Sequence, residues 1–183
     1  DIILSTIQPL LSSCSSVLEI GSGTGQHAVY FAEKMPTLVW QATDCQPYLP
    51  GIKLWVDDAG LGNTPMPFEL DVTHSNWPTA RVDAVFTANS IHIMHWHNVE
   101  ALFSGVGKLL LQGGKFIVYG PFNYKNAFTS ESNERFDAWL KSRDLSSGIK
   151  NFEDVCSLAA AAGLTLVDDI AMPSNNRILV WEV

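Results

Sequence analysis

A chain of 183 residues with 46% hydrophobic and 16% charged residues is long and apolar enough to bury one core, so we expect a single domain over residues 1–183. Its formal net charge of -8 would repel phosphate backbones and anionic membrane surfaces, which argues against a nucleic acid or a membrane as partner. The three cysteines form no CxxC pair, and there is neither a secretory leader nor an apolar run of the ~20 residues that span a bilayer, so a cytoplasmic protein is expected.

Short β-branched or aromatic runs alternate with longer amphipathic stretches, which is typical of a mostly parallel sheet wrapped by helices. The predicted strands cover residues 17–20, 38–42, 68–71, 84–87, 115–119, 164–170 and 178–183. The predicted helices cover residues 2–11, 26–34, 47–59, 96–111 and 151–162. Because a turn-rich loop joins the last two strands, these two should pair antiparallel.

The first predicted strand runs directly into a glycine-rich turn. Gly21, Gly23 and Gly25 occupy every second position before an amphipathic helix, where they let the backbone approach a ligand and leave helix-start amides free to donate to an anion. The nicotinamide fingerprint GxGxxG is not met, because Gln26 stands where its third glycine belongs. Glu19, two residues before the first glycine, would repel a pyrophosphate and attract an ammonium group. The turn therefore argues against a nicotinamide dinucleotide.

Two aspartates stand at the ends of the next two predicted strands. Asp44 closes the second strand, about twenty residues beyond the glycine turn, where folds of this kind place a carboxylate that accepts both ribose hydroxyls. Asp71 ends the third strand and could accept from the exocyclic amine of an adenine. Each aspartate alone is as readily a solvated strand end or a helix cap. Together with the glycine turn, they predict a nucleoside pocket.

The series VLEIGSGTG, ATD, LDV, DAVFTANSIH and LLLQGGKFIVYGPF resembles the motifs of class I S-adenosylmethionine-dependent methyltransferases across nearly the whole chain. More narrowly, LEIGSGTGQHAVYFA, WQATD, ANSIHIMHW and YGPF look like a methyltransferase-like family labelled as a domain of unknown function, which brings no established substrate. The resemblance implies a Rossmann-like α/β fold with helices on both faces of a seven-stranded, mostly parallel sheet. Its strand order would be 3-2-1-4-5-7-6, with strand 7 antiparallel. It further implies S-adenosylmethionine as cofactor and an unidentified small-molecule acceptor.

The resemblance also assigns residues to the cofactor, from the glycine loop around its methionine part to the ribose and adenine contacts. The cofactor residues so implied are Glu19, Gly21, Gly23, Gly25, Asp44, Asp71, Val72, Asn89 and Ser90. Asp71 and Val72 match the adenine side, and Asn89 and Ser90 match the turn after strand 4, whose backbone faces the methionine ammonium. This turn departs from the Asp/Asn-Pro-Pro-Phe/Tyr turn of enzymes that methylate nucleic-acid amines, and it has no cysteine. Neither base amines nor cytosine C5 are therefore expected as targets.

Three histidines, His92, His95 and His97, follow the fourth strand, where the donor methyl would be presented. Transfer to an OH or NH group requires in-line alignment and loss of a proton, and histidine titrates near neutral pH. We predict His92, nearest the strand end, as the general base, with an ordinary helix-start histidine as the alternative. Zinc held by the three imidazoles is disfavoured, because residues 92 and 95 share a helix face while 97 points away, and no metal is predicted.

Residues 120–150 form the only long irregular stretch of the sequence and are predicted to act as a lid over the acceptor. Tyr119, Asn123 and Tyr124 are predicted to line the acceptor site, since aromatic walls with amide rims suit a small, moderately polar ligand. Phe136 and Trp139, three residues apart, are interpreted instead as the buried face of a helix within this insertion.

The sequence thus predicts a methyltransferase acting on an unidentified small acceptor. A second hypothesis is a non-catalytic module that binds S-adenosylmethionine or S-adenosylhomocysteine and uses the insertion as a docking surface. An oxidoreductase is the third. The methylated atom and the oligomeric state stay open.

Overall fold

A computed structural model describes residues 1–183 as one seven-stranded sheet with helices on both faces. The strands are β1 (Ser16–Ile20), β2 (Val39–Asp44), β3 (Phe68–Glu69), β4 (Val82–Ala88), β5 (Leu110–Gly120), β6 (Thr165–Met172) and β7 (Asn176–Glu182). The helices are α1 (Ile2–Leu10), α2 (Gln26–Lys34), α3 (Leu49–Ala59), α4 (Trp96–Leu109), α5 (Glu131–Arg143) and α6 (Phe152–Ala161). The longest helix, α4, has 14 residues, and no helix combines the length and apolarity needed to cross a membrane.

The sheet has the order β3-β2-β1-β4-β5-β7-β6, which confirms the predicted topology. Strand β7 runs antiparallel to both β5 and β6, and the pairings among β1 to β5 are parallel. Because β1 is flanked by β2 on one side and by β4 on the other, the chain crosses over in opposite directions on leaving these strands. A crevice therefore opens at their carboxyl ends, the place where such sheets bind ligands.

Each face of the sheet carries its own apolar core, so the inner strands are nearly continuous apolar runs. On the face covered by α1, α2 and α3, Phe31, Trp40 and Phe86 pack together with ring centroids 5.3 to 5.7 Å apart. On the face covered by α4 and α6, Phe103 packs edge-on against Trp181 at 5.3 Å. Between these two layers, parallel pairing of β1 with β4 places their carboxyl ends side by side.

Strand β3 is shorter than predicted, and the difference moves Asp71 out of the strand. Only Phe68 and Glu69 pair with β2, whereas residues 68–71 were expected to do so. The chain turns at Asp71, because the side chain of Asp71 accepts hydrogen bonds from the backbone N and the hydroxyl of Thr73. A local turn thus competes successfully with the sheet ladder.

The insertion 120–150 is not wholly irregular, since it contains α5, capped by Ser130, whose hydroxyl accepts from the backbone N of Asn133 at 3.0 Å. The prediction that Phe136 and Trp139 form the buried face of this helix is wrong: Trp139 is 52% exposed and Phe136 is only half-buried. The buried residues of α5 are Asn133, Asp137 and Leu140. The inner face is polar because Asp137 accepts from the backbone N of Ile149, while the amide of Asn133 donates to the carbonyl oxygen of Asn175.

Candidate functional site

The candidate site is a crevice of about 300 Å³ at the carboxyl ends of β1, β2 and β4. Its lining residues are Glu19, Gly21, Ser22, Gly23, His27, Asp44, Tyr48, Ala88, Asn89, Ser90 and Ile93. Larger cavities of about 380 and 470 Å³ lie elsewhere, one beside α4 and one between α2 and α3. The smaller crevice is the one that gathers the glycine turn, two carboxylates and the turn after β4.

The three glycines of the turn all have positive φ, but each serves a different purpose. A side chain at Gly23 would meet no protein atom within 4 Å, so this position faces the open crevice. At Gly21 a Cβ would fall 2.6 Å from the hydroxyl oxygen of Ser90, which leaves no room for a side chain. Gly25 does not line the crevice, because it packs against α3, where a Cβ would lie 3.0 Å from the Cα of Ile52.

Asp44 is held in a fixed orientation beside the glycine turn. Its Oδ2 accepts from the backbone N of Gly23 at 2.8 Å, and its Oδ1 accepts from the backbone N of Cys45 at 2.7 Å. Burial raises the pKa of Asp44, and these two backbone hydrogen bonds oppose the rise. Since each carboxylate oxygen keeps a further lone pair, Asp44 can accept from two neighbouring hydroxyl groups.

Glu19 forms the floor of the crevice and is almost completely buried, at 2% exposure. Its Oε2 accepts from the indole N–H of Trp40 at 2.9 Å. Burial raises the pKa of Glu19 from 4.5 to about 7, although hydrogen bonds from Trp40 and Ser22 lower it. The floor is therefore an acid that titrates near neutral pH, and a cation bound above it would favour the ionised form.

The turn after β4 forms the opposite wall. The backbone N of Asn89, a residue with φ of 54°, donates to the carbonyl oxygen of Tyr119 at 2.9 Å. Ser90 is buried, and its hydroxyl donates to the carbonyl oxygen of Ala88 at 3.2 Å. A short 3₁₀ turn, Ile91–Ile93, follows and places Ile93 at the rim.

Besides Gly25, two of the predicted cofactor residues, Asp71 and Val72, lie outside this crevice. Val72 lines the separate cavity beside α4, together with Trp77. Asp71 is absent from the crevice lining, and its pKa is lowered chiefly by the hydrogen bonds from Thr73. Asp71 lies near Cys45, because after burial its charge is the next cause that raises the pKa of the Cys45 thiol.

His92 lies beneath the insertion rather than in the crevice, at 7% exposure. Its ring packs edge-on against Phe136 with the centroids 5.3 Å apart. Burial, and then the charge of Lys150, lower the pKa of His92 to about 4, which corrects the expectation that it titrates near neutral pH. His92 is therefore neutral and only weakly basic at physiological pH.

The predicted acceptor residues do not converge. Tyr119 packs on the face of the sheet covered by α1 to α3, and its hydroxyl accepts from Asn176. Tyr124 packs on the other face, and its hydroxyl donates to Asp169 at 2.9 Å. Asn123 is tied to Lys150 and Phe152 through its backbone, while its side-chain oxygen is buried without a hydrogen-bond partner.

Sequence reasoning did not assign Ser22, His27, Tyr48, Ala88 or Ile93 to the crevice. The available signal was their position, because Ala88 ends β4 and the others lie in the segments that follow β1, β2 and β4. Tyr48 is the most informative of them: it lies four residues after Asp44, is 55% exposed, and offers a flat aromatic surface at the rim. The pKa of His27 is lowered by burial.

A sequence model of the family described as "Protein of unknown function (DUF938)" matches residues 1–183, the whole chain. The chain belongs to the DUF938 family. Three solved structures show which fold this DUF938 chain shares. An O-methyltransferase family protein from Burkholderia thailandensis superposes with a TM-score of 0.84 at 14% identity, over 98% of this chain and 57% of that one.

PigF with SAH superposes with a TM-score of 0.84 at 14% identity, over 99% of this chain and 54% of that one. An O-methyltransferase family 2 protein from Planctomyces limnophilus, in complex with apigenin, gives a TM-score of 0.77 at 19% identity, over 96% and 52% of the two chains. The DUF938 chain thus spans a little over half the length of each of these proteins. It has the class I methyltransferase fold.

Proposed function

We propose that this chain is an S-adenosylmethionine-dependent methyltransferase that acts on a small-molecule acceptor. The observation that carries the proposal is the junction of Gly23 and Asp44. There the backbone opens into the crevice, and a carboxylate fixed by that same backbone faces it with free lone pairs. The net charge of -8 favours a small acceptor over a nucleic acid.

The residues present fit the cofactor in separate parts. Asp44 would accept from both ribose hydroxyls, and the exposed ring of Tyr48 would cover the adenine, with Asp71 and Val72 remaining predictions for that side. The methionine part would lie along the glycine loop, with its ammonium facing Asn89, Ser90 and the carboxyl of Glu19. The bound cofactor would supply an electrophilic methyl group on a sulfonium.

The chain's own contribution is to align that methyl group, exclude water and receive a proton. His92 remains the proposed base, but its pKa of about 4 makes it a weak one. General bases work best when their pKa lies near the operating pH, so His92 would assist proton loss less than an ordinary histidine would.

The solved structures lend support of a general kind. PigF was solved with SAH, and the protein from Planctomyces limnophilus with apigenin. Both likenesses concern proteins less than 20% identical to this chain, so they support a cofactor class and the small size of an acceptor rather than its identity.

Calorimetry with S-adenosylmethionine and S-adenosylhomocysteine tests the cofactor. Replacing Asp44 by alanine should weaken binding by about 1.5 to 3 kcal/mol, since a paired, charge-assisted contact to the ribose is lost. Asp58→Ala, at an exposed carboxylate of α3, is the matched control and should leave the affinity unchanged. Absence of binding of either ligand by the wild-type chain would refute the proposal.

A non-catalytic binding module is the second candidate, and one observation favours it. The hydroxyls of Tyr119 and Tyr124 are engaged inside the protein, and the two side chains lie on opposite faces of the sheet. Methyl-labelled S-adenosylmethionine, offered with a panel of phenols, thiols and amines, separates the two candidates. Tight cofactor binding without label transfer to any of these acceptors would favour the module.

A further inference from the structure

The turn after β4 contacts the glycine loop on its inner side. Ser90 lies so close to Gly21 that a Cβ on that glycine would fall 2.6 Å from the serine hydroxyl oxygen. Asn89, Ser90 and Ile93 of this turn also line the crevice. Any movement of the turn would therefore change the width of the crevice on the side proposed for the methionine part.

The outer side of the same turn is held by the segment that follows α5. The backbone N of Gly148 donates to the carbonyl oxygen of His92 at 2.8 Å. The half-buried ammonium of Lys150 donates to the carbonyl oxygens of Met94 at 2.6 Å and Gly148 at 2.9 Å. At the surface, Nε2 of His95 lies 2.6 Å from Oδ2 of Asp144. Contacts from residues 144–150 thus reach three residues of the turn, His92, Met94 and His95.

Asp137 of α5 fixes the backbone of this outer segment through hydrogen bonds. Its carboxylate is 4% exposed; Oδ1 accepts from the backbone N of Ile149 at 2.8 Å, and Oδ2 accepts from Lys141 at 2.8 Å. Gly148 has a φ of 140°, and a Cβ there would lie 2.9 Å from Oδ1 of Asp137. The site therefore admits only glycine, and the segment is fixed by a carboxylate that no proposed chemical step uses.

Partial burial of the Lys150 ammonium has a free-energy cost of desolvation, which argues for a specific role of this residue. Burial lowers the pKa of Lys150 to about 8, while the charges of Asp137 and Asp144 oppose that effect and Lys141 adds to it. Its ammonium makes no ion pair within 4.0 Å and donates instead to two main-chain carbonyls. These hydrogen bonds persist only if the carbonyl groups stay in place, so the half-buried ammonium restrains their positions.

We propose that Lys150, Asp137 and Asp144 are positioning residues. Through the backbone at 148–149 and at 92–94, and through the side chain of His95, they hold the turn after β4 against the glycine loop. The half of the crevice that faces this turn depends on them, and the half at Asp44 does not. The ligand side of this inference rests on the proposed function, whereas the fixation of the turn can be measured without any ligand.

The test compares S-adenosylhomocysteine with adenosine, which lacks the amino-acid part. In Lys150→Met the dissociation constant for S-adenosylhomocysteine should rise about tenfold, while that for adenosine changes less than twofold. Lys34→Met, at an exposed lysine paired only with Glu33, is the control and should change neither. Unchanged affinity in a folded Lys150→Met, or an equal loss for both ligands, would overturn the inference.

Asp144→Asn, at an exposed position, keeps the test decisive if Lys150→Met does not fold. It should weaken the binding of S-adenosylhomocysteine two- to threefold without affecting the binding of adenosine, and no change would count against the inference.

Hydrogen exchange of the ligand-free chain supplies the independent measurement. Exchange at residues 92–95 should be faster in Lys150→Met than in Lys34→Met, and equal rates would overturn the inference. Failure of the wild-type chain to bind either ligand would instead overturn the proposed function.

Discussion

Replacing Glu19 by glutamine tests the electrostatics of the crevice floor. Burial raises the pKa of Glu19 from 4.5 to about 7 in the folded chain. Each pKa unit is worth about 1.4 kcal/mol, so the folded chain favours the protonated carboxyl by about 3 kcal/mol. Glutamine resembles the protonated form and keeps an acceptor for the indole N–H of Trp40.

The sign of the pH dependence follows from the direction of this change. Below pH 4.5 the carboxyl is protonated in both the folded and the unfolded chain, so its stabilising contribution is fully present. Between pH 4.5 and about 7 the unfolded chain loses the proton first, and the contribution is lost as the pH rises through the folded value. The stability advantage of Glu19→Gln over the wild type should therefore grow from near zero at pH 4.5 to at most about 3 kcal/mol at pH 8.

Urea unfolding followed by tryptophan fluorescence at pH 5, 6, 7 and 8 measures this difference. Glu100→Gln, at an exposed carboxylate of α4, is the control and should differ from the wild type by a constant amount. A stability difference for Glu19→Gln that does not change across this range would refute the reasoning. The same residue links the proposed cofactor to pH, because wild-type affinity for the cationic donor should rise through pH 7 while that of Glu19→Gln stays flat.

Further predictions concern packing and the rim of the crevice. Gly25→Ala should destabilise the fold by about 1 to 3 kcal/mol in urea unfolding, because φ is 89° and the new Cβ meets the backbone of Ile52 at 3.0 Å. Gly51→Ala, with no atom within 4 Å of its new Cβ, should be neutral or up to about 1 kcal/mol stabilising, and equal effects at the two glycines would contradict this view. Tyr48→Ala should weaken S-adenosylhomocysteine by about 1 to 2 kcal/mol with little effect on unfolding, and unchanged calorimetric affinity would remove Tyr48 from the site.

The sheet and the glycine loop could be predicted because their signals are local. Strand runs, the glycine spacing and Asp44 at the end of β2 all follow from neighbouring residues, and the family resemblance supplies the strand order. Asp71 was misplaced in the third strand because a turn through Thr73 ended β3 two residues early. The rim residue Tyr48 was missed because it was counted in the predicted helix 47–59, whereas it ends a 3₁₀ turn, Gln46–Tyr48, at the crevice rim.

The contacts around the insertion could not be predicted, because they join residues distant in sequence. Nothing near Lys150 in the chain indicates that its ammonium reaches Met94, 56 positions away. The burial of His92 under Phe136, which lowers its pKa, depends on the same long-range fold. The buried face of α5 was predicted to consist of its aromatic residues. In the structure this face instead carries Asp137, whose carboxylate accepts from the backbone N of Ile149.

The polar underside of α5 distinguishes this helix from the others. Helix α4 buries five apolar residues, Val99, Leu102, Phe103, Val106 and Leu109, so undocking this helix would expose a hydrophobic surface. Helix α5 turns inward an amide, a carboxylate and a single leucine, which water hydrates readily once they are uncovered. The inward residues of α5 therefore contribute less buried apolar surface than those of α4, so this helix depends on specific polar contacts rather than on the hydrophobic interior.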